Sequence, residues 1–399
     1  MYHAREQSNH GIGRRANFLV LSSAFVVLSS TFVFVLSSEF LVLRSAAAET
    51  IDWRRVAPGV EHAHITRDAP WNIHVLRIDP AQARLDVVHA RDDAVGVETT
   101  SAIAKRHGAI AAINGGYFRM TGTFAGDSTG TLQIDGKVLS EPDRGRAAVG
   151  LLRKPGGTEL VMGHVTWEGS VAVDGARRRL NGLNRARGAN ELVLFTPEFN
   201  ETTLTDASGT EAIVKAGHVV GVHDAAGSTP IPSDGFVLSA TGTLRSWLRS
   251  TATPGKRVAV RVTLRPVDRS TTNRWPDAED ILGAGPKLVT RGRVDITAKR
   301  EKMRATFATD RHPRTAVATL RDGRVLLVVV DGRQPSLSIG MSLDELARFL
   351  IELGAVEAIN MDGGGSTTMV VGGAIVNRPS DPTGERPVSD AIVVRPSTR

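Results

Sequence analysis

The stretch 324–369 most constrains what this chain can fold into. An apolar run from Arg324 to Val330 reads as a buried strand, and Asp331-Gly332 turns it. Ser342-Leu343-Asp344-Glu345 is a capping box, in which Ser342 and Glu345 satisfy the first free N–H groups of a helix. The helix is predicted to run to about Leu353. Leu343, Leu346, Ala347, Leu350 and Ile351 share one face, and Gly354 ends it. A second apolar strand, 355–361, leads into Asn360-Met361-Asp362-Gly363-Gly364-Gly365-Ser366-Thr367-Thr368-Met369. Strand, helix and strand in this order read as a crossover unit. It places the glycine loop at a strand's C-terminal end, where ligands bind in such sheets.

The loop brings a carboxylate, three glycines and three hydroxyls together. Without side chains, the backbone at Gly363, Gly364 and Gly365 can turn tightly and aim its N–H groups at an anionic or sugar-like group beside Asp362. A plain turn between two strands is the competing reading.

Elsewhere strands dominate. The segment 71–90 alternates as two strands joined through Asp79-Pro80, Thr99-Thr100-Ser101 caps a short helix, and 131–139 is a hairpin with an Asp135-Gly136 turn. Residues 147–265 are strand-rich, and 266–280 are the most loop-like interior segment. No linker marks a clean boundary. The division read from sequence is 1–48 as a signal peptide or N-terminal anchor, 49–104 as a strand-rich lead-in, and 105–399 as the main domain.

Charge and composition exclude several classes. The chain has 399 residues, a net charge of +7 and no cysteine, so disulfides, zinc–thiolate sites and cysteine nucleophiles are ruled out. The basic excess is spread out, and its short cluster Arg177-Arg178-Arg179 has no aromatic residues interleaved. A nucleic-acid partner is not expected. Arg5, Arg14 and Arg15 precede a long apolar stretch, 18–43, followed by Ser45-Ala46-Ala47-Ala48. That order reads as a secretory signal, or as an uncleaved anchor because the stretch is long enough to span a bilayer. The protein is expected to be exported: periplasmic, secreted or envelope-associated, touching membrane only through this segment.

Four apolar strands end in polar, glycine-rich sequence: Asn114-Gly115-Gly116-Tyr117-Phe118, Gly283-Ala284-Gly285-Pro286-Lys287, Asp331-Gly332-Arg333 and the Asp362 loop. Arg311-His312-Pro313-Arg314-Thr315-Ala316 lies between them, and Glu385-Arg386-Pro387-Val388 follows. In type and order, this set resembles the phosphodiester glycosidase family over roughly residues 105–396. The resemblance implies an α+β fold, with a mixed β-sheet core flanked by helices in a single large catalytic domain with a ligand cleft. It also implies hydrolysis of glycosyl-1-phosphodiester bonds, with a phosphosugar substrate from cell-envelope glycopolymers or glycolipids. The rivals are a non-catalytic envelope protein that binds phosphosugars and a phosphodiesterase that attacks phosphorus.

The residues make chemical sense of that activity. A phosphodiester needs a positive clamp. Arg314 is the first candidate, because a guanidinium grips two phosphate oxygens, with Lys287, Arg386, Arg311 and His312 in reserve. Backbone groups of Gly363, Gly364 and Gly365, with Ser366, would share that load. Asn114 and Gly115 would bind a sugar hydroxyl or fix the loop. Glycosidic cleavage needs a carboxylate to stabilise oxocarbenium character, attack the sugar or activate water. Asp362 is the first choice and Glu385 the second, with Asp127 and Asp331 behind them. Tyr117 could stack on a sugar face, whereas Phe118 reads as core. No cofactor is expected. A hard cation such as Ca²⁺ beside Asp362 is conceivable, but no metal motif supports it. Gly126-Asp127-Ser128-Thr129-Gly130 fits a nucleophile-elbow pattern without the strand and helix that an elbow requires.

Overall fold

The computed structural model describes residues 51–397 apart from 69, 93, 94, 144 and 269–273. The segment read as a signal or anchor lies outside the described residues. Among those described, no helix is long and apolar enough to cross a membrane.

An eight-stranded sheet forms the backbone of the molecule. Its order is Arg54–Ala57, Val60–Arg67, Trp71–Ile78, Val325–Val330, Arg314–Leu320, Ala355–Asn360, Lys287–Thr290 and Arg293–Val294. Val325–Val330 is buried along its whole length. Successive side chains on a strand point to opposite faces. Val325, Leu327 and Val329 therefore enter one core, and Leu326, Val328 and Val330 enter another. The first core lies against a five-stranded sheet, ordered Ala374–Ile375, Met369–Val371, Ala111–Asn114, Asp390–Pro396 and Ala83–His89. The second is covered by the helix Leu343–Glu352, which buries Leu343, Leu346, Ala347, Phe349 and Leu350. Both halves of the capping box form: Ser342 Oγ accepts from Glu345 N at 3.2 Å, and Glu345 accepts from Ser342 N at 2.9 Å.

The predicted crossover is present, with one difference. Val325–Val330 and Ala355–Asn360 both run antiparallel to Arg314–Leu320, which lies between them, so they are parallel to each other but do not pair. The Asp135-Gly136 hairpin forms with φ of 49° and 76°, the left-handed pair a tight two-residue turn requires. The strands 71–78 and 83–89 also form, but they enter different sheets.

The α+β expectation is corrected here. The protein is mostly β-structure, and helices do not flank a mixed sheet. Among the described residues, four α-helices occur, the longest being the ten residues of Leu343–Glu352. Strand pairs are antiparallel except for the short match of Gly182–Leu183 with Leu192–Phe195. The strand–helix–strand signal at 324–361 is strong but local. Over the rest of the described chain, strands are joined mostly by turns and loops, with three short helices between them.

Strand register positions the site. Arg314 pairs with Val330, and Ala316 pairs with Asn360. Three neighbouring strands thus reach the same edge of the large sheet together. The loops that begin or end there carry His312 to Arg314, Asp331 to Arg333, and Asp362 to Ser366.

Candidate active site

The glycine loop is seated by backbone bonds before any side chain acts. Gly364 N donates to Pro313 O at 2.9 Å, Asp362 N donates to Gly115 O at 3.1 Å, and Met361 N donates to Thr315 O at 2.8 Å. The glycines are required by crowding. A Cβ on Gly363 would lie 2.8 Å from Pro313 O, and one on Gly365 would lie 2.3 Å from an Arg386 guanidinium nitrogen. Gly364 has φ +61°, and the Arg333 guanidinium rests 3.0 Å from where its Cβ would be. The two glycines are therefore the floor on which two cations lie.

Asp362 faces this floor. Its carboxylate accepts from Gly363 N at 2.9 Å and is also held by the Ser366 hydroxyl. Burial pushes its pKa up to about 6. The Ser366 and Gly363 hydrogen bonds and the Arg386 charge oppose the rise, and the Asp390 carboxylate adds to it. Asp362 thus changes protonation state just below neutral pH, as a catalytic carboxylate does.

Arg386 makes a close ion pair with Asp381, at 2.6 Å, and reaches Ser366 Oγ at 3.4 Å. Arg333 is exposed, sits at φ +61° and makes no ion pair among the described residues. A non-glycine residue in that conformation stores strain, of the kind that collects at functional sites. Its charge is felt at Arg314 and at His312, whose pKa is lowered first by burial and then by these two arginines. His312 Nδ1 is buried without a hydrogen-bond partner.

Arg314 is in the constellation but is not free to close on a ligand. It is 1% exposed, and its guanidinium donates to the carbonyls of Met341, at 2.8 Å, and of Phe307 and Asp310, each at 2.9 Å. It has no carboxylate partner among the described residues, and burial lowers its pKa to about 10. A buried cation without an anion is costly, so its positive charge beneath the loop favours an anion above it.

Asn114 and Gly115 join the site as its scaffold. Asn114 is fully buried. Its Nδ2 donates to Asp362 O at 2.8 Å, and its Oδ1 accepts from Thr315 Oγ1 at 2.8 Å and Thr368 N at 3.1 Å. Of the two roles read from sequence, the geometry gives it the fixing of the loop. Gly115 lies against Asp390, whose Oδ1 accepts from Gly116 N at 2.6 Å and would be 2.1 Å from a Gly115 Cβ. Tyr117 forms a half-buried wall. Its hydroxyl donates to Gly285 O at 2.8 Å and accepts from Asn360 Nδ2 at 2.9 Å. Burial, then the Asp362 charge, raise its pKa, so it stays neutral.

Several sequence candidates lie elsewhere. Glu385 accepts from Ser101 N at 2.8 Å and from the Ser101 hydroxyl, at the first turn of the helix Thr100–Arg106. We expect Glu385→Gln to leave kcat within about twofold and lower stability by about 1 kcal/mol, read by kinetics and urea unfolding. Lys287 pairs with Glu357 at 2.8 Å, and Arg311 pairs with Glu345. Asp331 is a buried hub that accepts from Asn72, Asn377 and Arg378 N, and Asn377 passes that order on to Thr367 and Met369. Asp127 is raised by burial to about 7, with no hydrogen bond from its carboxylate to the glycine loop among the described residues. Ser128 donates to Asp390 at 3.3 Å, and a hairpin, not a helix, follows it. Among the described residues, no three His, Asp or Glu side chains gather in a way that could hold a metal ion.

Comparison with known proteins gives this constellation a lineage. Residues 208–395, which include Arg314, Arg333, Asp362 and Arg386, match the family model for phosphodiester glycosidase. Residues 208–395 carry a phosphodiester glycosidase domain. The N-acetylglucosamine-1-phosphodiester alpha-N-acetylglucosaminidase of Bos taurus is 46% identical over 68 residues, which are 17% of this chain and 12% of that enzyme. The Homo sapiens enzyme is 43% identical over 68 residues, 17% of this chain and 13% of the enzyme. The match thus spans about an eighth of the curated animal relatives. A crystal structure of a “putative exported protein” from Burkholderia pseudomallei K96243 is similar at 30% identity and TM-score 0.72, covering 82% of this chain and 74% of that one. Asn114 lies outside the matched segment and joins these residues through the fold.

Two residues of this candidate site are not singled out by the sequence as site residues. Arg333 follows Asp331-Gly332, and its place after a strand end was the available signal. Asp390 opens the strand Asp390–Pro396, and only the pairing of that strand with Ala111–Asn114 reveals it.

Proposed function

We propose that the protein is an exported hydrolase that cleaves the anomeric C–O bond of glycosyl-1-phosphodiesters in envelope glycopolymers or glycolipids. One observation carries the reading: Asp362, with a pKa of about 6, shares a loop with two guanidinium groups lying on Gly364 and Gly365. Two guanidinium groups over one loop suit a phosphate, and the carboxylate of the same loop suits the sugar.

In this reading Arg333 and Arg386 hold the phosphodiester, with Arg314 adding positive charge from below. Asp362, ionised above about pH 6, faces the anomeric carbon. It attacks that carbon or activates the water that does. The C1–O bond breaks, its electron pair leaves with the phosphate, and water supplies the new sugar hydroxyl. Phosphate is a stable leaving group, so a strong general acid is unnecessary. This suits a site where Glu385 is turned away.

Hydrolysis in ¹⁸O-labelled water is the test. Label in the released sugar supports the proposal. Label in the phosphate makes the protein a phosphodiesterase, and saturable binding without product makes it a binding protein. Arg333→Gly should raise KM about tenfold, the worth of one charge-assisted contact, with kcat little changed. Because glycine tolerates this backbone conformation, melting temperature should hold or rise.

A further inference from the structure

The strand Gly157–Val173 continues past its pairing with Ala147–Lys154. There its second half is flanked by Ala176–Arg179 on one side and Val258–Pro266 on the other. Val165, Val171 and Val173 of this half face inward, while Thr166, Glu168, Ser170 and Ala172 face outward. The register gives each outward residue its neighbours. Ser170 pairs with Arg179 and with Arg261, Ala172 pairs with Arg177 and Ala259, and Thr166 pairs with Arg265.

The outer face is therefore a trough. Small side chains, Ser170 and Ala172, run down its middle strand. Arg177 and Arg179 form one bank, and Arg261 and Arg265 form the other. All four arginines are exposed. Glu168 is the outward acid on the middle strand, and it is taken by Arg265 at 2.9 Å. Arg177, Arg179 and Arg261 make no ion pair among the described residues. Neighbouring strands are about 4.8 Å apart and alternate residues about 6.6 Å apart, so the Cα atoms of these three residues lie within about 12 Å of one another. Nothing in the candidate active site uses them.

We propose that this trough binds a linear phosphodiester-linked polymer lying along the strands. Fixed cations on two banks match a chain with a charge at every repeat, and small residues between them leave room for it. A single-stranded nucleic acid would need aromatic rings for its bases. The one aromatic residue of this strand half, Trp167, points to the opposite, core-facing side. A membrane surface would need apolar side chains among the cations, and Ser170 and Ala172 do not supply them.

The probe is labelled poly(glycerol phosphate), titrated into the full chain at several salt concentrations. This polymer has no glycosidic bond, so its binding does not depend on the hydrolase reading. The triple variant Arg177→Ser, Arg179→Ser, Arg261→Ser should bind at least about tenfold more weakly. Its slope of log K against log salt should flatten by two to three. Arg179→Glu alone should weaken binding in the same direction, and both variants should keep the wild-type melting temperature. Unchanged affinity in the triple variant overturns the proposal. So does tighter arginine-dependent binding of single-stranded DNA or of phosphatidylglycerol vesicles.

Discussion

Asp362→Asn is expected to lower kcat on a glycosyl-1-phosphodiester by about 10³-fold or more, because Asp381, the carboxylate that lies against Gly365, is held in its ion pair with Arg386. The same change should not destabilise the protein at neutral pH. Burial is the chief cause that raises the folded pKa of Asp362 from the ordinary aspartate value to about 6. Its charged form is therefore disfavoured by folding. That penalty is absent below about pH 4, grows as pH rises from about 4 to about 6, and is complete above about 6. The asparagine variant carries no charge at any pH. Its melting temperature should exceed the wild type's at pH 7 to 8 and converge with it near pH 4. In the wild type, activity should climb with pH through about 6. A variant of full activity would remove Asp362 from the chemistry, and one less stable at pH 8 would contradict the account of its burial.

Asn114→Ala should produce the largest loss of stability, about 2–3 kcal/mol in denaturant unfolding. It removes the donor to Asp362 O and leaves Thr315 Oγ1 and Thr368 N without their acceptor in the interior. Because this side chain holds the loop and does not touch the ligand, kcat should fall with KM little altered. A rise in KM alone, with stability intact, would instead make Asn114 a sugar-binding residue. Asn114→Asp keeps one acceptor but sets a carboxylate against the Asp362 carbonyl, and should not restore activity.

What the sequence disclosed was local. The Ser342–Glu345 capping box, the Asp135-Gly136 turn and the glycine loop after Asn360 are decided by neighbours in the chain, and all three formed as read. The α+β class came with the family resemblance and suited one strand–helix–strand unit, but elsewhere turns, loops and three short helices join the strands. Long side chains were least legible, because a charged group takes its meaning from whatever stands opposite. Glu385 meets Ser101, 284 residues away, and Lys287 meets Glu357, 70 residues away. Arg333 became visible only once the pairing of Arg314 with Val330 set its loop beside Gly364. Arg314 was rightly placed near the loop, but the three carbonyls that engage it could not be read from a linear pattern.

One topological detail has a consequence for biogenesis. Asp390–Pro396 lies between Ala83–His89 and Ala111–Asn114 and pairs with both. A ribosome or translocation pore delivers those two earlier strands long before the one that joins them. In the interval each offers an unpaired edge to any passing chain. Holdase chaperones that shield extended apolar segments should therefore raise the yield of active protein more than catalysts of later steps.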